Sequence, residues 1–173
     1  FASVLRAEQI RLHGQVLPLS VAGSAAMASI LTWVLGPGLP GRWLAGWMSL
    51  LALTVAFRVG VHLLRRRDPA GEAAERWLWW HRVAFALHGL AWALAGALFF
   101  LAAEVSGRDL VAFALVALTA AALVNTSFDL VAATVFAVPA VAPMLIPLVA
   151  PRSASPPAAL LVGVLMLGIV TMV

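Results

Sequence analysis

The sequence predicts an all-α membrane protein, a bundle of six transmembrane helices with both ends on the cytoplasmic side, and three observations carry that reading. The 173 residues are 64% hydrophobic and only 10% charged, with a mean hydropathy of +1.03, so too little polar surface exists to cover a soluble domain. The apolar stretches break at short turns into pieces near the ~20 residues that a helix needs to cross the hydrocarbon layer. Every basic residue is Arg, and in the resulting threading Arg6, Arg11, Arg65, Arg66, Arg67, Arg76 and Arg82 fall on one side, whereas Arg42, Arg108 and Arg152 fall on the other. Basic loops stay cytoplasmic, so this asymmetry orients the bundle. It also accounts for the net charge of +4 without nucleic acid as a partner.

Residues 1–15 alternate apolar positions with Arg6, Glu8, Gln9, Arg11 and His13 and read as a cytoplasmic or interfacial amphipathic helix, or as an extension of the first span. Glu8 and Arg11, one turn apart, are expected to pair. The first span covers 16–35, with Pro18 near its entry and small residues at Ser20, Gly23 and Ser24 suited to close helix contact. After the Gly36–Gly41 turn, Trp43 and Trp47 are expected at the outer interface, and the second span runs over 43–64. Arg58 and His62 lie four residues apart within it, and Arg58 is expected to snorkel to the inner surface. The basic loop from Arg65 to Arg82, with Trp77, Trp79 and Trp80, re-enters the bilayer as the third span, 77–103, which carries His81, His88 and a small-residue stripe at Gly89, Ala93 and Ala97. The fourth span is 110–124. A polar turn from Asn125 to Asp129 follows, in which Ser or Asp can cap the next helix. The fifth span, 130–149, holds Pro139, Pro143 and Pro147 at four-residue spacing, and the sixth begins over 158–173. The sequence opens at Phe1 and stops at Val173 inside an apolar run, which reads as the core of a longer protein.

No catalytic constellation survives a spacing test: there is no paired-His zinc motif, no phosphate-binding glycine loop and no local partner for the membrane serines. The absence of Cys removes disulfides and thiolate metal sites, and no metal site is expected. Two groups of residues remain. His13, His62 and His81 approach the cytoplasmic leaflet with His88 about two turns deeper, so that His62, His81 and His88 are alternative axial ligands for haem b. Arg58, His62, Arg82 and Asp129 form a polar cluster near the same leaflet, either an internal salt bridge, a reporter of protonation or a site for an anionic lipid headgroup. The proline ladder withholds helical hydrogen bonds from the carbonyls of Val135, Pro139 and Pro143. It predicts a bent helix facing a cavity bounded by His88 and Trp92, a place for an apolar or amphipathic small molecule to meet Pro139 and Pro143.

Three stretches, 5–20 (LRAEQIRLHGQVLPLS), 90–96 (LAWALAG) and 136–143 (FAVPAVAP), together resemble the amino-terminal MASE-type membrane sensor domains of bacterial diguanylate cyclases and sensor histidine kinases. The resemblance extends over nearly the whole chain through common membrane residues. It departs at His13, where an aromatic residue is expected, and at His88, where a small one is. It implies a homodimeric domain in the bacterial inner membrane that couples a signal to a carboxyl-terminal cytoplasmic enzyme, a diguanylate cyclase first and a histidine kinase second, with no catalysis in the membrane part. The alternatives from other classes are a haem-binding cytochrome-like sensor and a small transporter.

Overall fold

Of the two readings of the first fifteen residues, an interfacial helix or an extension of the first span, the structure shows the extension. In the computed structural model, which describes residues 2–68, 74–102 and 105–145, one helix, α1, runs unbroken from Ala2 to Leu35, so that the interfacial segment and the first span are one rod. Pro18 sits inside it on an exposed face, where the turn it disturbs has no neighbour to displace. A 3-10 turn, Gly36–Gly38, closed by Leu39 N–H donating to the Gly36 carbonyl at 2.9 Å, leads into α2, Gly41–Arg66. Arg65 and Arg66 occupy the last turn of α2, where its dipole favours cations. Then follow α3, Ala74–Ala102, α4, Val105–Asn125, and α5, Leu130–Val141. Asp129 caps α5 by accepting from Ala132 N–H at 3.3 Å.

Among the described residues the protein is all-α, and α1 to α4 are long and apolar enough to cross a membrane. The fifth apolar helix is shorter. α5 ends at Val141 and tightens into a 3-10 turn, Ala142–Leu145, and the rest of the expected span, 146–149, lies outside the described residues. The proline ladder explains the change: the N–H that Pro143 lacks would have reached the Pro139 carbonyl, and the Ala142 N–H supplies that bond by shifting to 3-10 geometry. Pro147, Pro151 and the expected sixth span lie outside the described residues.

The bundle holds its polar groups inside an apolar core and presents apolar side chains outward. Trp33, Leu53 and Phe113 are 85%, 66% and 61% exposed, whereas His13, Ser24, Thr54, Arg58, His81, His88 and Asp129 are buried. In lipid this is the stable arrangement, because buried polar groups can be satisfied only by one another. The central helix is α3, packed against each of the other four, with half of its apolar window buried against 22–28% for α1, α2 and α4. Gly89 lets α5 approach it: a Cβ there would lie 2.5 Å from the Phe136 carbonyl oxygen. Gly96 does the same for the prolyl ring of Pro143, 3.0 Å from such a Cβ. The small-residue stripe therefore serves internal packing at Gly89. Trp47, expected at the outer interface, is instead a core residue: its indole N–H donates to the Ala91 carbonyl at 3.1 Å, and its ring meets Trp92 and Phe99 edge-on. Burial of the ring with its one donor satisfied outweighs the headgroup preference.

Candidate functional site

Two buried polar networks and a cavity occupy the bundle interior. At one end, Asp129, whose side chain is 1% exposed, gathers donors from three elements. Arg82 of α3 reaches it with Nε at 3.2 Å from each carboxylate oxygen and a terminal nitrogen at 2.9 Å, and His13 Nε2 of α1 lies 3.1 Å away. A carboxylate only accepts, so Nε2 is a protonated nitrogen of His13. Burial alone would raise the Asp129 carboxyl, but the hydrogen bonds from His13 and Arg82 outweigh it and hold the group at about 2. The His13 ring stacks on His81 with centroids 5.2 Å apart and meets Phe128 edge-on at 4.9 Å. Among the described residues, His13 Nδ1 and His81 Nε2 are buried without hydrogen-bond partners.

Deeper in the bundle, His88 ties α1, α2 and α3 together. Its Nε2 is 3.0 Å from Ser24 Oγ and its Nδ1 is 2.9 Å from Thr54 Oγ1. Donor and acceptor roles follow from the ends of the chain inward. Thr54 spends its hydrogen on the Leu51 carbonyl at 2.8 Å, so it accepts from His88 Nδ1–H. His88 Nε2 is then the acceptor for the Ser24 hydroxyl, whose oxygen in turn accepts from the Trp92 indole N–H at 3.1 Å. Every polar hydrogen in this chain has one destination, which is the condition for keeping an imidazole in an apolar interior.

Beside it lies a cavity of about 230 Å³, lined by Ser20, Gly23 and Ser24 of α1, Phe85 and His88 of α3, Leu118 and Asn125 of α4, and Phe136 of α5. Behind this wall is Arg58. It does not snorkel as the sequence suggests but is 3% exposed, with a terminal nitrogen donating to Ser20 Oγ at 3.0 Å and its guanidinium carbon 4.3 Å above the Phe85 ring centroid. The hydroxyl and the aromatic face give it a polar niche on the interior side of α2, so the charge does not have to reach the surface.

The residues singled out from sequence are thus divided among different places. Arg82 and Asp129 form one ion pair, whereas Arg58 joins Ser20 and Phe85, and His62 lines a separate groove of about 370 Å³ between α1 and α2 with Arg11, Arg65 and Arg66. Among the haem candidates, His88 has both ring nitrogens engaged, His81 stacks on His13, and His62 opens onto that other groove. Of the two cavities described, His88 lines one and His62 the other. Among the described residues no group of three His, Cys, Asp or Glu side chains could hold a metal ion. His88 borders the cavity, but Trp92 is wholly buried beside Trp47, and Pro143 is packed on Gly96. The α5 residue at the cavity is Phe136. Ser24 and Thr54, the partners of His88, have no sequence signature: they stand 64 and 34 residues from it. The chain matches no protein-family model, no curated protein and no solved structure.

Proposed function

We propose that this chain is a membrane-embedded sensing and anchoring domain, in which the cavity between α1, α3, α4 and α5 takes an apolar or amphipathic small molecule. The observation that carries the reading is the contact between cavity and network. Ser24 and His88 line the cavity and are also links in the hydrogen-bond chain joining three helices. A ligand hydroxyl or carbonyl competing for the Ser24 hydroxyl changes what holds α1 to α3 and so has a direct means of altering helix packing. Following the resemblance of the sequence, the bundle works as a homodimer in the bacterial inner membrane and passes occupancy to a cytoplasmic enzyme, a diguanylate cyclase or else a histidine kinase.

Gly23 provides the test. It lines the cavity at an exposed edge, and nothing lies within 4 Å of a Cβ placed there, so the added side chain of Gly23→Leu starts in open space at the cavity mouth, where it obstructs entry. The variant is expected to fold at least as well as the parent, because Gly costs an interior helix about 0.5–1 kcal/mol relative to Ala, yet to lose binding of apolar fluorescent probes and signal output in cells. Unchanged probe binding in Gly23→Leu removes the cavity as a ligand site.

The same proposal places the amino end and the Arg65–Arg67 loop in the cytoplasm, within six spans that include the one expected over 158–173. Arg6 pairs with Glu75 at 2.8 Å and Arg76 with Asp68 at 3.3 Å, so the ends of α1, α2 and α3 that carry most of the arginines are gathered together, as the positive-inside principle requires of one face. A Cys introduced at Arg67 should be shielded from an impermeant maleimide in intact cells, and one at Ser153 should be labelled. The opposite labelling pattern overturns the threading.

A further inference from the structure

The cavity has a cation behind its wall and, among the described residues, no anion to match. Arg58 belongs to a spanning helix and is buried, and among the described residues its guanidinium meets the Ser20 hydroxyl and the Phe85 ring. Among the described residues no carboxylate pairs with it: the acid nearest in role, Asp129, is taken by Arg82 and His13. A guanidinium stays charged and offers five N–H donors in a planar fork, so one hydroxyl leaves most of its capacity unused. Charged groups within spans are costly and are found paired. Both residues that Arg58 touches, Ser20 and Phe85, are lining residues of the cavity, so a molecule in the cavity lies one side chain away from the unpaired charge.

We propose that the cavity binds a single-chain amphiphile with a carboxylate head, a molecule of the fatty-acid class, whose head displaces or joins Ser20 to pair with Arg58. The volume sets the class: about 230 Å³ holds a carboxylate and a few methylenes but not two acyl chains, so the rest of a single tail leaves between helices into the bilayer. The head gains a charge-assisted, bidentate partner, and the wall formed by Leu118, Phe136 and the apolar edge of Phe85 receives the first methylenes. This deepens the ligand-binding reading of the cavity and rests on it.

The test compares laurate with its methyl ester, which has the same tail and no charge. Binding is followed by competition against radiolabelled laurate on the intact chain in phosphatidylcholine nanodiscs. The parent should prefer laurate by about tenfold or more, since a desolvated charge pair contributes beyond the ~1.4 kcal/mol that a factor of ten represents. Arg58→Met should bind acid and ester alike, while Arg58→Lys, which keeps the charge but not the fork, should retain part of the preference. Laurate should also raise the thermal midpoint of the parent and not that of Arg58→Met, whose own ligand-free midpoint should equal or exceed the parent's because an unpaired buried charge has gone. Equal binding of acid and ester by the parent, or an undiminished preference in Arg58→Met, overturns the assignment of Arg58 while leaving the cavity as a neutral-ligand site. If Gly23→Leu binds both as the parent does, the cavity reading itself fails and this inference goes with it.

Discussion

Replacing Asp129 with Ala is expected to destabilise the bundle by about 3–5 kcal/mol, the usual cost of breaking a buried ion pair from one side. The substitution removes the acceptor of Arg82, of His13 and of the first turn of α5 together, and the His13 ring, 1% exposed, has no water to turn to. Asp129→Asn should cost less than Ala, because the amide oxygen can still accept from Ala132 N–H and from Arg82, which share one oxygen of the carboxylate, so that mainly the charge is lost. The charge itself is read by acid. With its carboxyl at about 2 in the fold against an ordinary 3.8, Asp129 contributes its full stabilisation above pH 3.8 and loses it as the pH falls toward 2. Thermal unfolding in a non-ionic detergent should therefore show a parent that converges on Asp129→Asn across that window and keeps a constant advantage from there to neutrality. An advantage unchanged at pH 2 would mean that the ion pair is not what the substitution removes.

Gly89→Ala carries the second large effect, and here two terms of opposite sign must be weighed. Alanine gains about 0.5–1 kcal/mol in a helix interior over glycine. Its Cβ, however, would stand 2.5 Å from the Phe136 carbonyl oxygen and 2.9 Å from its Cα, and backbone of a packed helix cannot swing aside as a side-chain tip does. Overpacking of this kind costs about 1–3 kcal/mol or more, so a net loss of about 2 kcal/mol is expected, with α5 levered off α3. Gly23→Ala is the matched control: the same substitution in open space should gain stability. Equal midpoints for the two variants would show that α3 and α5 are not in backbone contact.

What the sequence made legible was local. Turns at Gly36–Gly38 and after Asn125, the cap at Asp129, the pairing of Glu8 with Arg11 and the apolar lengths of four helices all depend on neighbours within a few residues, and the structure shows each of them. The end of α5 was half visible: Pro139 and Pro143 announced a disturbed helix, but whether the freed carbonyl would face a cavity or be repaired by 3-10 geometry depended on Gly96, a residue of another helix. Rotation about each axis was not legible at all. A helix that is apolar on every side gives little sign of which side faces its partners, and so Trp47 and Arg58 were assigned outward when both point in. The polar partners were hidden for a related reason, since His13 meets Asp129 across 116 residues of sequence.

The order in which these residues leave the ribosome gives the hydrogen-bond chain a further meaning. Ser24 and Thr54 are cheap to insert alone, because a helical hydroxyl can bond a carbonyl of its own preceding turn, as Thr54 does with Leu51 and Ser29 with Ala25. An imidazole has no such retreat. His88 emerges after both of its hydroxyl partners are already in place, just as Asp129 emerges after His13 and Arg82, and Arg58 after Ser20. For His88, Asp129 and Arg58 the receptor has therefore been laid down in the membrane before they enter it. A chain in which α3 is made before α1 and α2 would reverse that order for His88, and should suffer in insertion yield rather than in the stability of the molecules that succeed.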